Sequence, residues 1–245
     1  MSTDNANTIS PNTDSIRAMI TAKLYVEIDR LSNQTPWTQE IHAVNWFNTR
    51  WLPLYNFYNS VANRSVLAVG GMPIFKGRLT KTLVGSEQDL RTVLLIVKYP
   101  SPVSFQTMLE NTYFKIVSLL RTAAVKQFTF CFTKRVNGTD NFPLEDQLYS
   151  YAIHHFRGRE HVNALALDAP LPDAVELIFS SVKTHKLKTV NSSGEATPVP
   201  DLMDGVLLYR TIDSSRLEDM VASKSYLSLI EQTDSSFIGL LDRLI

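Results

Sequence analysis

The sequence predicts an α+β chain: two β-α-β-β-α-β repeats packed against each other as an intrachain barrel, with the helices outside. The first observation behind this is a pattern that occurs twice, an apolar strand, a short Ser-containing turn and an amphipathic helix. Leu94-Leu95-Ile96 precedes Phe105, Met108, Leu109, Tyr113, Phe114, Ile116 and Val117; Val206-Leu207-Leu208 precedes Leu217, Met220, Val221, Tyr226, Leu227, Leu229 and Ile230. The offset is constant at 112 residues, from Leu94 to Val206 as from Met108 to Met220, until a one-residue step before the tyrosines. The second observation is that each copy sits among further strand and helix signals in the order β-α-β-β-α-β, the ferredoxin-like motif. The third is physical. One such unit leaves a sheet bare on one face, and its twin is the partner that buries it.

The elements follow in order. Ala22 to Arg30 alternates Leu24, Val26 and Ile28 with Lys23, Tyr25, Glu27 and Asp29, the period of a strand with unlike faces. Thr35-Pro36 opens a helix that runs to about Asn59, with Pro53 inside it as a kink or break. Ser65 to Val69 reads as a short strand, and Gly70-Gly71-Met72-Pro73 as a bulge or tight bend. Thr92 to Val97 is a strand buried on both faces, Ser101 to about Ala124 the repeat's helix, and Phe128 to Thr133 a fourth strand. The polar run Asn137 to Asn141 marks the boundary between halves. Beyond it, Leu148 to Phe156 reads as a strand, Asp173 to Thr184 as a helix and Lys186 to Val190 as a strand. Asp204 to Tyr209, Ser214 to about Gln232 and Phe237 to Leu244 complete strand, helix and strand. The division is thus a polar tail over 1–17, a first repeat over 18–136 and a second, more divergent repeat over 142–245.

A chain of 245 residues with 44% hydrophobic residues supports a sizeable core. Lys+Arg and Asp+Glu both number 24, so no net field draws nucleic acid or an anionic membrane. The single cysteine, Cys131, excludes an intrachain disulfide and suits a reducing, cytoplasmic setting. The first residues lack the basic and apolar regions of a signal peptide, and no apolar run approaches the roughly 20 residues that span a bilayer. G-x-G-x-x-G, P-loop, G-x-S-x-G and H-E-x-x-H signatures are absent. No cofactor is evident, and no His or Cys set has metal spacing.

Several short motifs occur in sequence: Trp51-Leu52-Pro53-Leu54, Val66 to Pro73 with its Gly70-Gly71, Val97-Lys98-Tyr99-Pro100-Ser101, then Phe105, Met108, Tyr113 and Arg121-Thr122-Ala123-Ala124. Together they resemble the DUF1330 family of the dimeric α/β-barrel superfamily, over roughly Ala22 to Val136. From Gln147 onward the resemblance rests on the last strand-helix-strand, and the Gly-Gly-x-Pro element is missing. Family members are single-repeat chains that pair, so the resemblance implies a fused dimer with one eroded half. It implies no particular activity; the superfamily includes small monooxygenases, isomerases, haem enzymes and non-catalytic binding proteins.

Three groups of residues could carry chemistry. The first is His154-His155-Phe156-Arg157-Gly158-Arg159, at the end of a strand. Adjacent strand residues point to opposite faces, so only one histidine enters the interior. His155 as base beside Arg157 as anion binder is the catalytic reading, with Glu27 as a further base; a solvated strand end is the bland one. The second is the tryptophan-rich first helix, with His42, Trp46, Arg50 and Tyr55 as ligand-binding residues, or else as sheet packing. The third is the polar strand faces, where Tyr151 and Arg210 face the space between sheets together with Cys131, as cavity lining or as a satisfied hydrogen-bond network. The function expected is that of a small-molecule enzyme working in one half, by proton transfer or cofactor-free oxygenation of an apolar or aromatic metabolite. The alternative is a non-catalytic ligand-binding or interaction module. The partner expected is a small molecule, neither nucleic acid nor membrane, on a monomer or a homodimer of the fused unit.

Overall fold

The computed structural model describes residues 39–86, 91–138, 148–158, 171–183 and 204–244. The described elements are β1 (Ile41–Thr49), α1 (Leu52–Ala68), β2 (Met72–Val84), β3 (Val93–Tyr99), α2 (Pro102–Glu110), α3 (Thr112–Ala124) and β4 (Val125–Gly138). They continue with β5 (Ser150–Arg157), β6 (Glu176–Lys183), β7 (Gly205–Thr211), α4 (Ser214–Ala222), α5 (Lys224–Glu231) and β8 (Ser235–Arg243). The fold is α+β. Its eight strands close a barrel in the order β1-β3-β2-β8-β5-β7-β6-β4, with every neighbouring pair antiparallel. Closure leaves no free sheet edge. No described helix is long and apolar enough to cross a membrane.

Three apolar layers form the core. The barrel lumen holds Val44, Trp46, Phe75, Leu94, Ile96, Tyr151, Phe179, Val206 and Phe237. Outside β1 to β4, helices α1 to α3 cover Ala43, Phe47, Val97, Tyr99 and Phe130; outside β5 to β8, α4 and α5 cover Ala152, Phe156, Leu207, Tyr209 and Ile238.

Burial on both faces explains where the sequence reading goes astray. Residues 41–49, read as part of a helix, are β1, with buried side chains on both faces; Ala43, Val44 and Phe47 mimic helical spacing because no polar face interrupts them. The expected helix at Asp173 to Thr184 is β6 for the same reason: Val175, Ile178, Phe179 and Val182 have a helical period, yet the strand is lumen on one side and helix layer on the other. Ser65 to Val69 is the end of α1, not a strand. Pro53 starts that helix rather than kinking it, at a position whose N–H has no helical acceptor. Gly70, at φ +75, ends the helix in the left-handed conformation, and the N–H groups of Gly70 and Gly71 return to Leu67 O (3.0 Å) and Val66 O (2.9 Å). The expected strands at 22–30 and 186–190 lie outside the described residues.

Each expected long helix of the doubled pattern is two helices broken at a capping residue. Asn111 ends α2 and caps α3 by accepting from Phe114 N (3.2 Å), while Ser223 ends α4 and caps α5 by accepting from Tyr226 N (3.3 Å). Ser101 and Asp213 cap α2 and α4. The offset of 112 therefore continues through the break, from Asn111 to Ser223 and from Phe114 to Tyr226. The one-residue step disappears. Tyr226 takes the place of buried Phe114, whereas Tyr113 lies exposed with its hydroxyl donating to Val61 O (3.2 Å).

Candidate functional site

Between α1–α3 and the outer face of β1, β2 and β3 lies a cavity of about 510 Å³, within the range of small-molecule sites. Sheet register builds its floor. Lys76 on β2 pairs with Leu95 on β3, Leu95 with Asn45 on β1, and Asn45 with Phe130 on β4, so the four side chains form one row facing the helices. The roof is α1, which turns Asn56, Asn59 and Asn63 toward the cavity at spacings of three and four, with Tyr55, Tyr58 and Ala62 on the same side. Phe105, Met108 and Phe114 from α2 and α3 supply an apolar wall.

The polar atoms are arranged by simple accounting. Asn45 spends both amide hydrogens on the sheet, donating to Ala43 O (3.1 Å) and Leu95 O (3.2 Å), which leaves Oδ1 as its polar atom for the cavity. Asn63 Oδ1 is buried without a hydrogen-bond partner, an acceptor that wants a donor. Lys76 donates from Nζ to Asn56 Oδ1 (3.3 Å) and lies over the Tyr55 ring, 5.2 Å from its centroid. Burial lowers the Lys76 pKa. Burial also raises the phenols of Tyr55, Tyr58 and Tyr99, against the opposing hydrogen bonds of Asn59 to Tyr55 and Arg121 to Tyr58. These hydroxyls therefore stay protonated at neutral pH, and Tyr99 points its own at Met108 Sδ (3.3 Å).

A second row of side chains lies on the outer face of β5 to β8, under α4 and α5. By register, Ser180, Leu207, His154 and Ile238 stand where Lys76, Leu95, Asn45 and Phe130 stand. Above that row His154 bonds through Nδ1 to Tyr226 Oη (2.8 Å) and through Nε2 to Ser236 Oγ (3.0 Å), and Tyr226 donates on to Tyr209 Oη (3.0 Å). All three rings are fully buried.

The residues singled out from the sequence do not converge. Of the candidate site residues only Tyr55 lines the cavity. His154 and His155 do part to opposite faces: His154 lies under the helices, and His155 enters the lumen 5.3 Å from the Trp46 ring, centroid to centroid, with no hydrogen-bond partner for either nitrogen among the described residues. Burial lowers both histidines from 6.5 to about 3. Arg157 is 45% exposed and 3.8 Å from Asp234, so it does not share a pocket with His155. His42 and Trp46, expected on a helix, are lumen-facing residues of β1, with His42 beside Phe179 and 3.9 Å from Glu40. Tyr151 packs on Phe75 in the lumen, 5.1 Å between centroids. Arg210 pairs with Glu176 (2.8 Å) and covers the Tyr149 ring. Arg50 is an exposed residue of the turn before α1, its N–H bonded to Ala124 O (2.7 Å). Glu27 lies outside the described residues.

Tyr58, one of the aromatics expected to line a pocket or pack on the sheet, also lines the cavity, whereas Asn45, Lys76, Tyr99, Arg121 and the α1 asparagines were not singled out as site residues. One signal was present: Asn56, Asn59 and Asn63 repeat on one face of a helix interior, where asparagine is unfavourable.

No family model matches the chain, and no curated protein matches it in sequence. Solved structures are similar to it at low identity. An anthrone oxidase-like protein is 12% identical, with 84% of this chain and 92% of that chain covered at a TM-score of 0.48. A monooxygenase candidate from Lactobacillus acidophilus is 10% identical, with 84% and 94% covered at 0.45. A protein of unknown function from Rhodopseudomonas palustris is 18% identical and covers 47% of this chain and 93% of its own at 0.43. None of these likenesses assigns an activity.

Proposed function

We propose that the chain is a small-molecule enzyme with one working site, the cavity under α1, and that it catalyses proton transfer on a flat, largely apolar ligand. The single observation that carries this is a buried amine, Lys76, in a roomy cavity lined by aromatic rings together with asparagine side chains and Arg121. Burial lowers the Lys76 pKa and so raises its share of neutral amine, the form that acts as a general base. Asn45 Oδ1 fixes the ligand by accepting one hydrogen bond.

The same reading makes the chain two fused ferredoxin-like repeats, a pseudodimer of the DUF1330-like kind, functioning in the cytoplasm as a monomer or a further homodimer. The strand orders β4-β1-β3-β2 and β8-β5-β7-β6 and the caps at a common offset support the fusion. The hydrogen-bonded His154, with Ser180 where the first row has Lys76, supports decay of a second site. A non-catalytic interaction module is favoured instead by the exposed side chains of Trp51, Phe57 and Ile116 on the helix layer.

Displacement of bound anilinonaphthalene sulfonate by a metabolite panel reads occupancy, and Ala62→Phe, which fills the cavity, is expected to abolish it. Mass analysis of the displacing compound after incubation in heavy water separates the readings. Deuterium on carbon supports proton transfer, a gained oxygen atom supports oxygenation, and an unchanged compound sinks the enzyme.

A further inference from the structure

We propose that Lys76 is a nucleophile that captures an aldehyde or ketone as an imine, so that the cavity's ligand class is a flat, largely apolar carbonyl compound. This deepens the reading of the cavity as the working site and rests on it.

The argument starts from how lysines are held elsewhere in the same sheet. Lys81 pairs with Glu218 at 2.7 Å, and Lys98 pairs with Glu40 at 3.2 Å, both with partly exposed side chains. Lys76 is only 5% exposed, and no carboxylate among the described residues lies within ion-pair distance of it. Its Nζ has one neutral acceptor, Asn56 Oδ1, and the face of Tyr55. Burial and the lack of a carboxylate hold this ammonium below the usual lysine range, which raises the share of neutral amine, whose lone pair is nucleophilic.

The surroundings fit a carbonyl partner. Because Asn56 Oδ1 accepts from Lys76, the Asn56 amide hydrogens remain to donate to the oxygen of a carbonyl group held beside Nζ. Along the row from Lys76 the floor runs over Leu95 to Asn45 and Phe130, a strip suited to a planar hydrocarbon that carries one hydrogen-bond donor for Asn45 Oδ1.

The step balances without an oxidant or reductant. The Nζ lone pair forms the C–N bond while the carbonyl π pair moves to oxygen, which takes a proton from water. Nitrogen gives one proton to the hydroxide left by that water, the carbinolamine oxygen takes a second proton from water and leaves as water while the nitrogen lone pair forms the C=N bond, and nitrogen's last proton neutralises the remaining hydroxide, leaving a neutral imine and one water. Protonated, that imine draws electrons from the adjacent carbon and loosens its C–H bonds, which connects the adduct to proton transfer. In the other half the register partner of Leu207 is Ser180, so no second amine stands at that place.

The experiment uses the full chain with naphthaldehyde as probe and sodium cyanoborohydride as imine trap, read by peptide mass mapping at neutral pH. Lys76 is expected to carry the reduced adduct at about tenfold or more the level of exposed Lys81 and Lys115. The Lys76→Met variant is expected to lose that adduct while keeping the wild-type far-UV circular dichroism spectrum and a cooperative thermal melt, which show that it folds. If naphthaldehyde displaces the sulfonate probe from the native chain yet Lys76 is labelled no more than Lys81, the imine inference is overturned and the cavity reading stands. If naphthaldehyde and the metabolite panel both fail to displace the probe, the cavity reading falls and the inference falls with it.

Discussion

Replacing His155 by leucine, which has similar volume and no polar atoms, is expected to stabilise the protein, and to stabilise it more as pH falls. His155 is 1% exposed, both its ring nitrogens are without hydrogen-bond partners, and its pKa is lowered from 6.5 to about 3 by burial. A histidine whose folded pKa lies below its unfolded value is protonated first in the unfolded chain. Stability is therefore intact above about pH 6.5 and is lost as pH falls toward 3. At about pH 5 the unfolded imidazole gains about 1.5 pH units' worth of proton binding that the folded one does not, or about 2 kcal/mol. His154, lowered likewise by burial and then by His155, loses stability in the same direction as pH falls. Urea unfolding followed by circular dichroism at several pH values measures it. At neutral pH the leucine variant is expected to gain about 1–3 kcal/mol by removing unsatisfied polar atoms, and near pH 5 a further ~2 kcal/mol. A difference between variant and wild type that stays constant across this range would refute the reasoning, because carboxylate titrations common to both chains cancel.

Two further outcomes follow from packing. Tyr226→Phe, which installs the residue type that Phe114 has in the first half, removes the hydroxyl linking His154 to Tyr209; a loss of about 1–3 kcal/mol is expected by denaturant titration, and no loss would show the chain of hydroxyls contributes nothing. Gly71→Ala places a methyl group 2.8 Å from both Tyr99 Cε1 and Val66 Cγ1 and 2.9 Å from Val66 O; thermal melts are expected to show destabilisation of about 1–3 kcal/mol, with an unchanged melt arguing against that close approach.

How much of this was legible in the sequence depends on where polar residues interrupt the apolar ones. The strand-helix-strand units at 93–138 and 205–243 were readable because helices α3 to α5 each bury one face and expose the other, and because Met108 and Met220 repeat at a common offset. β1 and β6 were misread because barrel closure buries both faces and erases the period of two. The parting of His154 and His155 follows from strand alternation alone. Which of them met the lumen, and that neither joins Arg157, depended on neighbours far along the chain.

The sequence by itself determined the local grammar: the doubled pattern, the proline start of α1, the glycine stop after it, and the alternation that sends neighbouring side chains apart. These are set within a few residues by backbone sterics and hydrogen-bond accounting. The tertiary structure alone decided the site. Lys76, Asn45 and Asn63 line one cavity only because β1, β2 and β3 align in one register and α1 crosses above them, and a lysine's pKa falls only when such packing removes the water around it.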